Sequence, residues 1–333
     1  MRVTTRAIMS NYSRNLNKTM ANLDSSRQKV LTKRKFNNID EDPSAAARSF
    51  KLRREFNQNA DYLENVKTTI SMFDTVSSSA LSISGVLNEQ VNEDTLSAIN
   101  GATSYEARLT YAKTLRGMQD SIVLSLNEKY ADRFLFGGAG TKEAPFELKD
   151  DKLYYRGIDV NTTDPDEIKK LEEMMDETLY VDIGFGMEEN AQGDVVGSSA
   201  FNTAVPGLNI VGYGQTADGV SKNVVTLLGQ MADALEEPNL NEAKFGKLMD
   251  QFVESKNDVA DFVAELGTKS EFLENRKKQL ETASDNINVQ IVDVENVDMA
   301  AAISDYVWQQ YAYNAALKVG TSILSPSFID FMK

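Results

Sequence analysis

Apolar side chains recur at intervals of seven residues near both ends of the chain. One series comprises Met9, Leu16, Leu23 and Val30, and the other comprises Leu273, Leu280, Ile287, Val294, Ala301, Trp308 and Ala315. Sustained heptads place apolar side chains along one seam of a long helix. A strongly charged segment with one narrow stripe buries too little apolar surface to fold alone. Each end is therefore predicted to need a partner helix, which is either the other end or another subunit.

A third stretch carries a weaker heptad pattern between residues 56 and 87. An ordinary helix that packs inside its own domain gives the same pattern, and we favour that interpretation here. The apolar positions of this stretch are Phe56, Leu63, Val66, Ile70, Phe73, Ala80 and Leu87, with Ser77 as a weak member.

Proline and glycine are concentrated in the middle of the chain. No proline occurs in residues 1–42, 44–144 or 239–325, and twelve of the 19 glycines lie between Gly137 and Gly219. Both residues interrupt helices. Their distribution predicts long helices toward both ends and a turn-rich middle.

The middle of the chain carries three short stretches that favour β-strands. They are "KLYYRGIDV" (152–160), "TLYVDIGFG" (178–186) and "PGLNIVGYG" (206–214), and the second alternates apolar and polar residues before a Gly-Phe-Gly stop. One amphipathic helix, "DPDEIKKLEEMMDE" (164–177), interrupts them. We therefore predict a small inserted β-rich domain at 150–220.

Together these patterns predict a mainly α protein, an elongated bundle of long helices with a small inserted β-rich domain. The helical core domain is predicted to comprise 41–149 and 221–289. The terminal regions, 1–40 and 290–333, are predicted to form coiled-coil helices and to be disordered in the monomer, because their seams lack partners there. Eight positions are candidates for the assembly seam: Met9, Leu16, Leu23, Val30, Leu280, Ile287, Val294 and Trp308.

The charge of the chain is strongly negative and unevenly placed. With 50 acidic and 35 basic side chains the net charge is −15, which disfavours general nucleic-acid binding because phosphates must be neutralised by Lys and Arg. Residues 1–35 hold nine basic side chains and one acidic, whereas residues 285–333 hold six acidic and two basic. Opposite signs suit two helices that lie against each other, and a solvated helix face is the alternative.

The sequence holds no arrangement of residues that we interpret as catalytic. It contains no Cys and no His, which removes thiolate metal sites and the commonest general base. The acidic stretch at 40–51 lacks the Gly and the Glu of a calcium loop, and the glycines at 137–142 lack the spacing of a phosphate-binding loop. We expect no enzyme activity, no metal and no cofactor. We also predict no membrane span and no secretory signal peptide, because no apolar run has the length that either needs.

Several runs of sequence resemble flagellin-related proteins. "MRVTTRAIMSNYSRNL" at the start, "NNIDEDPSAAARSFKLRRE" at 37–55 and "TTISMFDTVSSSALSI" at 68–83 are similar to the N-terminal region of that family. "LNEKYADRFLFGGAGTKEAPF" at 126–146 resembles the hook-associated proteins that join hook to filament rather than flagellin itself. "VDMAAAISDYVWQQYAYNAALKVGTSILSPSFIDFM" at 297–332 resembles the C-terminus of the same family.

The resemblance implies a structural protein of the bacterial flagellum that forms a ring of subunits between hook and filament, its two ends paired as a coiled coil. It also implies an extracellular protein that the flagellum's own type III pathway exports without a cleaved signal peptide. The implied partners are other copies of the chain, a neighbouring hook-associated protein, flagellin and an export chaperone, with no nucleic acid and no membrane. The apolar C-terminal end is the predicted chaperone or subunit contact: Ile323, Leu324, Phe328, Ile329 and Phe331.

Two other functions stay open at this point. A flagellin, the filament subunit, would share the terminal helices, although the run at 126–146 and the small insert favour the junction protein. A secreted binding protein or adhesin, which is a different class, would use the β-rich insert as its binding module.

Overall fold

The computed structural model describes residues 2–91, 103–149 and 151–324. Long helices dominate, and the strands of these residues form three small separate sheets, which confirms the predicted mainly α class with a small strand-rich part. The helices are α1 (Arg2–Thr32), α2 (Pro43–Gly85), α3 (Tyr105–Leu126), α4 (Pro165–Met175), α5 (Leu208–Val211), α6 (Val224–Glu236), α7 (Glu242–Glu295) and α8 (Met299–Leu324). The strands are β1 (Lys129–Tyr130), β2 (Arg133–Phe134), β3 (Phe146–Lys149), β4 (Lys152–Tyr155), β5 (Ile158–Asp159), β6 (Tyr180–Val181) and β7 (Phe201–Asn202).

The described residues divide into two compact units. The terminal unit comprises the residues up to Ala60 and those from Thr282 onward, and the central unit comprises Asp61–Glu281. These limits differ from the predicted limits of the core domain at 41 and 289. The reason is that the adjoining parts of α2 and α7 pair within the terminal unit, where the Asn59 amide donates a hydrogen bond to Ser284 Oγ at 3.0 Å. An uninterrupted heptad pattern does not mark where a helix changes its neighbours.

The core of the central unit is built around α6. Apolar residues occur on every side of this helix, so it is buried almost all round. Asn223 caps its first turn, because the side-chain oxygen accepts hydrogen bonds from the N–H groups of Val225 at 3.0 Å and Thr226 at 3.1 Å. The largest fully buried side chains of the unit are Tyr155, Phe73, Phe136, Phe146, Phe245 and Phe252.

The helical segment Pro43–Glu89 is long and apolar enough, by length and composition alone, to cross a membrane. Its side chains Phe73, Val76 and Ala80 are fully buried within the central unit. A core helix passes the same test, so one such segment is weak evidence for a membrane span.

The strand-rich part begins earlier in the chain than predicted. β3 and β4 form a hairpin in which Phe146 pairs with Tyr155 and Lys149 pairs with Lys152. The predicted limit at residue 150 therefore falls between the two strands of the hairpin in the chain. A strand of four residues is too short for alternation to reveal where it starts.

All three strand candidates differ in the structure from what the sequence predicted. The stretch 152–160 forms two short strands, β4 and β5, which pair antiparallel with Tyr155 opposite Ile158. Within 178–186 only Tyr180–Val181 is a strand, and it pairs with Phe201–Asn202. The stretch 206–214 contains the short helix α5 instead of a strand. A short apolar run between glycines does not distinguish a buried helical turn from a buried strand.

Asn127 lies directly after α3 and ties this helix to β3. Its side-chain amide donates to the Phe146 carbonyl at 2.8 Å, and its oxygen accepts from the Phe146 N–H at 3.0 Å. We expect Asn127→Ala to lower the free energy of unfolding of the central unit by about 2 kcal/mol, because both backbone groups of a buried residue lose their partners. Urea denaturation followed by circular dichroism measures this change. Asn88→Ala removes an exposed amide and is the control, expected within about 0.5 kcal/mol of the unchanged chain; equal losses for the two variants would contradict the prediction.

Candidate assembly surface

The two terminal helices lie side by side in the terminal unit. α1 and α8 run antiparallel: Tyr12 Oη donates to the Ala316 carbonyl and the Val297 N–H donates to the Lys33 carbonyl, both at 3.0 Å. Each helix has a series of less exposed positions spaced alternately by three and four residues, as in a coiled-coil seam. The pairing of the two ends is therefore confirmed. The series is Tyr12, Leu16, Thr19, Leu23, Ser26 and Val30 on α1, and Ala302, Tyr306, Gln309, Tyr313, Ala316 and Gly320 on α8.

Several of the twelve seam positions between α1 and α8 hold polar or small side chains. Thr19, Ser26 and Gln309 are polar, and Ala302 and Gly320 are small. Stabilisation by burial scales with the apolar area removed from water, about 25 cal/mol per Å². The pair therefore gains less from its seam than a seam of large apolar side chains throughout would give. The predicted disorder of these ends in the free monomer stays a prediction.

The predicted seam positions on α1 and α7 are partly covered. Leu16, Leu23 and Val30 are half-buried on the α1 seam, whereas Met9 is 39% exposed. On α7, Leu280 is buried within the central unit, and the other two predicted positions, Ile287 and Val294, are half-buried. Their role in assembly stays a prediction.

Trp308 does not lie on the seam between the helices, because the heptad register changes before α8. The covered positions are 302, 309 and 316, one residue further along than the predicted 301, 308 and 315. α7 ends at Glu295, and Asp298 starts a new helix by accepting from the N–H groups of Ala300 at 2.9 Å and Ala301 at 3.3 Å. The heptad positions of α8 therefore differ by one residue from those of α7. A heptad series continued from α7 into α8 identifies residues beside the seam instead of the seam itself.

The predicted C-terminal contact lies mostly beyond what the structure describes. Ile323 and Leu324 are the last two residues of α8. Phe328, Ile329 and Phe331 lie outside the described residues. Their contact with a chaperone or a subunit stays a prediction.

The outward face of α8 carries large apolar side chains that the terminal unit does not cover. Trp308 and Tyr311 are each 70% exposed, and Val307 and Ile303 are exposed beside them. The rings of Trp308 and Tyr311 meet edge to face, with centroids 6.4 Å apart and an interplanar angle of 86°. We call these four side chains the aromatic face. An exposed apolar patch on a charged protein marks a contact site for another protein.

A shallow cavity of about 390 Å³ lies beside the aromatic face. Trp308 forms part of its wall, together with Ser26 and Lys29 of α1 and Ala302 and Asp305 of α8. The cavity lies over the seam, so a side chain that enters it contacts both terminal helices. This arrangement suits a partner that binds the helices as a pair.

Glu295 is the last residue of α7 and lies where two segments meet, the one after α1 and the one between α7 and α8, which we call the connectors of the terminal unit. Only 6% of the residue is exposed. The Arg53 guanidinium donates to both carboxylate oxygens at 2.6 Å, and Ser49 Oγ donates to one of them at 2.5 Å. The hydrogen bonds from Arg53 lower the pKa of the Glu295 carboxyl to about 2; Ser49 and the charges of Arg53 and Arg34 act in the same direction, against the effect of burial.

Sequence reasoning missed this cluster. Arg53 and Glu295 are 242 residues apart, and no spacing pattern connects residues that distant. The available signals were that "ARSFKLRRE" belongs to a run that resembles the family, and that the two ends differ in charge.

The central unit contains a cleft of about 680 Å³ that is lined by four acidic side chains and two lysines, Lys222 and Lys269. Glu254, Asp258, Asp261 and Glu265 line it along one face of α7. Burial raises the pKa of the Asp258 carboxyl, and the charges of Glu254 and Asp261 raise it further. Neither here nor elsewhere in the described residues do three or more such groups converge as ligands for a metal ion.

Comparisons with known proteins point to one family. A family model described as the bacterial flagellin N-terminal helical region matches residues 3–141. Flagellar hook-associated protein 3 of Escherichia coli (strain K12) is 24% identical over 344 residues, which covers 100% of both chains, and the protein of that name from Salmonella typhimurium is 24% identical over 339 residues, or 99% of both. The crystal structure of flagellar hook associated protein-3 from Legionella pneumophila shares the fold, with a TM-score of 0.56 at 11% identity over 73% of this chain and 98% of that one.

Proposed function

We infer that this chain is a flagellin-related hook-associated protein, a structural component of the bacterial flagellum that joins hook to filament as a ring of subunits. The observation that carries the inference is the match to hook-associated protein 3 along the full length of both chains. The paired terminal helices and the uncovered aromatic face of α8 support it, because subunits of a ring must offer apolar surface to each other.

The proposed partners follow from this role. Other copies of the chain, a neighbouring hook-associated protein and flagellin are the expected contacts in the flagellum, and an export chaperone is the expected contact before export. We propose export by the flagellar type III pathway without a cleaved signal peptide. Binding of nucleic acid or membrane, and catalysis, are not part of the proposed function.

A filament subunit is the second candidate. It is favoured by the family model, which describes flagellin and matches residues 3–141. The full-length relatives carry the name of a hook-associated protein instead. The two roles differ in where the chain sits and in how many copies a flagellum contains.

A strain that lacks the gene for this chain distinguishes these roles. For a junction protein we expect hooks of normal appearance, no filaments, and filament subunits released into the medium, with filaments restored by the gene supplied on a plasmid. Normal filaments without the gene would overturn the proposed function. Loss of the main secreted filament subunit itself would favour the second candidate. Electron microscopy and analysis of the medium provide both measurements.

Leu16 tests whether the seam of α1 matters for assembly. It is half-buried where α1 faces α8, so a charge at this position must be desolvated or the helices must separate. We expect Leu16→Asp to reduce rescue of filaments in the deletion strain at least tenfold. Asn17→Asp adds the same charge to the exposed neighbouring position and should rescue normally. Equal rescue by the two variants would show that the seam does not contribute.

A further inference from the structure

The two connectors of the terminal unit are joined to each other by backbone hydrogen bonds. The segment after α1 and the segment between α7 and α8 lie antiparallel, with Arg34 opposite Asn296. The Lys35 N–H donates to the Glu295 carbonyl at 2.7 Å, and the Lys33 carbonyl accepts from the Val297 N–H. The Lys35 ammonium also donates to the Asp293 carbonyl. A short piece of two-stranded pairing thus links the end of α1 to the start of α8.

The side chain of Glu295 holds this piece against α2. Its carboxylate receives two parallel hydrogen bonds from Arg53 and one from Ser49, both on α2. Arg34, from the connector after α1, lies 3.5 Å from the same carboxylate. One buried group therefore joins α2 and the connector after α1 to the end of α7, where the second connector begins. Two parallel bonds from a planar guanidinium fix direction as well as distance, which a single ion pair does not.

We propose that Glu295 is the positioning residue of the assembly surface: with Arg53, Arg34 and Ser49 it locks the two connectors together and so fixes the register of α8 against α1. The inference rests on the proposed function, because the register matters through the surface that it presents. Each residue along a helix turns the face by about 100°. A slip of one residue at the connector would move Trp308 from the outward face toward the seam.

The carboxylate of Glu295 stays charged in moderately acidic solution. Arg53 from α2 and Arg34 from the connector are the charged side chains that face Glu295. Since the pKa of Glu295 falls to about 2 in the folded chain, its contribution to stability is fully present above the ordinary glutamate pKa and is lost as the pH falls toward 2. We expect protection of the Lys35 and Val297 amides to be equal at pH 7 and pH 5 and to decline below pH 4.

Hydrogen exchange on the full chain tests whether the Glu295 cluster holds the two connectors together. This measurement does not require assembly. We expect Glu295→Gln to accelerate exchange of the Lys35 and Val297 amides at least tenfold, while amides of α3 and α6 in the central unit keep their rates. Asp285→Asn removes an exposed carboxylate from the same helix and is the control, expected to leave all these rates unchanged. Equal rates in the two variants would overturn the proposal.

Arg53→Lys keeps the proposal testable if Glu295→Gln causes a general loss of folding. It keeps the positive charge but cannot donate two parallel bonds, so we expect an intermediate acceleration, about threefold. Rates unchanged from the native chain would show that the paired bonds do not matter.

Rescue of the deletion strain then links the lock to assembly. We expect Glu295→Gln to reduce filament rescue at least tenfold and Asp285→Asn to rescue fully. Accelerated exchange together with full rescue would overturn the positioning role while leaving the proposed function intact. Failure of the native gene to rescue would instead count against the proposed function, and the exchange rates would still report on the lock.

Discussion

Trp308→Ala is expected to reduce filament rescue in the deletion strain by about thirtyfold or more, while the free energy of unfolding of the purified chain changes by less than about 0.5 kcal/mol. The indole is 70% exposed, so its removal takes little from the folded monomer. Buried aromatic side chains dominate the energy of protein interfaces, at 2 kcal/mol or more each, and 2 kcal/mol corresponds to about thirtyfold in affinity. Trp308 and Tyr311 already form an edge-to-face pair in the single chain. A partner that covers Trp308 therefore meets a ring that is held in place, which supports a large effect of its removal.

Gln310→Ala is the matched control for this variant. Gln310 lies on the same helix, two residues away, and is also exposed. We expect normal rescue and an unchanged free energy of unfolding, which urea denaturation measures for both variants. If Trp308→Ala destabilised the monomer by more than about 1 kcal/mol, the indole would be packed within its own chain. Normal rescue by Trp308→Ala would remove the aromatic face from the assembly surface.

The long helices could be predicted from the sequence because their breakers are absent. Between Pro43 and Pro145 no proline interrupts the chain, and α2 and α3 occupy most of the described residues there. Absence of a breaker is a local property, and helix formation is largely local. The division into a terminal and a central unit is not local, which explains why the predicted limits at 41 and 289 differ from those at Ala60 and Thr282.

The register of α8 shows how a correct pattern leads to a wrong position. Leu16 and Leu23 lie on the seam because α1 is uninterrupted. The second series runs from Leu273 to Ala315 across the break at residues 296–298, where the sequence Asn-Val-Asp holds neither glycine nor proline. The Asp298 cap was the available signal, since Asp is a favoured first residue before a helix. Because Asp298 lies within the apolar heptad series, the sequence predicts that the series continues through the start of α8.

The Glu295 cluster could not be predicted because tertiary structure alone creates it. Arg53 is one of four basic residues between Arg48 and Arg54, and Glu295 is one of several acidic residues near the end of α7. From the sequence alone, Arg53 and Glu295 are both expected to be solvated side chains on a helix surface. Burial of Glu295 becomes evident only when the connectors are paired.

The run "RFLFGGAGTKEAPF" is explained by packing that the sequence did not reveal. Phe136 and Phe146 are fully or nearly fully buried, and the ring of Phe146 lies against that of Tyr155 with centroids 4.9 Å apart. The Gly207 N–H donates to the Phe136 carbonyl at 2.8 Å. The glycine thus brings the backbone before α5 directly onto this aromatic cluster.

Gly207→Ala is expected to lower the free energy of unfolding of the central unit by about 3 kcal/mol. A methyl group on Gly207 would lie 2.7 Å from Phe146 Cζ and 3.1 Å from Phe136 Cβ, closer than carbon atoms pack. The φ of Gly207 is −67°, so alanine meets no backbone strain and the whole effect is steric. Phe146 cannot move aside without displacing Tyr155, and overpacking of a filled core costs about 1–3 kcal/mol before such displacements are added.

Gly246→Ala provides the control with the same chemical change and the opposite sign. Gly246 lies on an exposed face of α7, where an added methyl group meets no atom within 4 Å. Alanine should stabilise the helix there by about 0.5–1 kcal/mol, because it restricts the unfolded chain and favours the helix. Urea denaturation of both variants, followed by circular dichroism, measures the difference, which we expect to approach 4 kcal/mol. If Gly207→Ala were as stable as Gly246→Ala, the aromatic cluster would have room for a methyl group, and tight packing would not explain the glycine at residue 207.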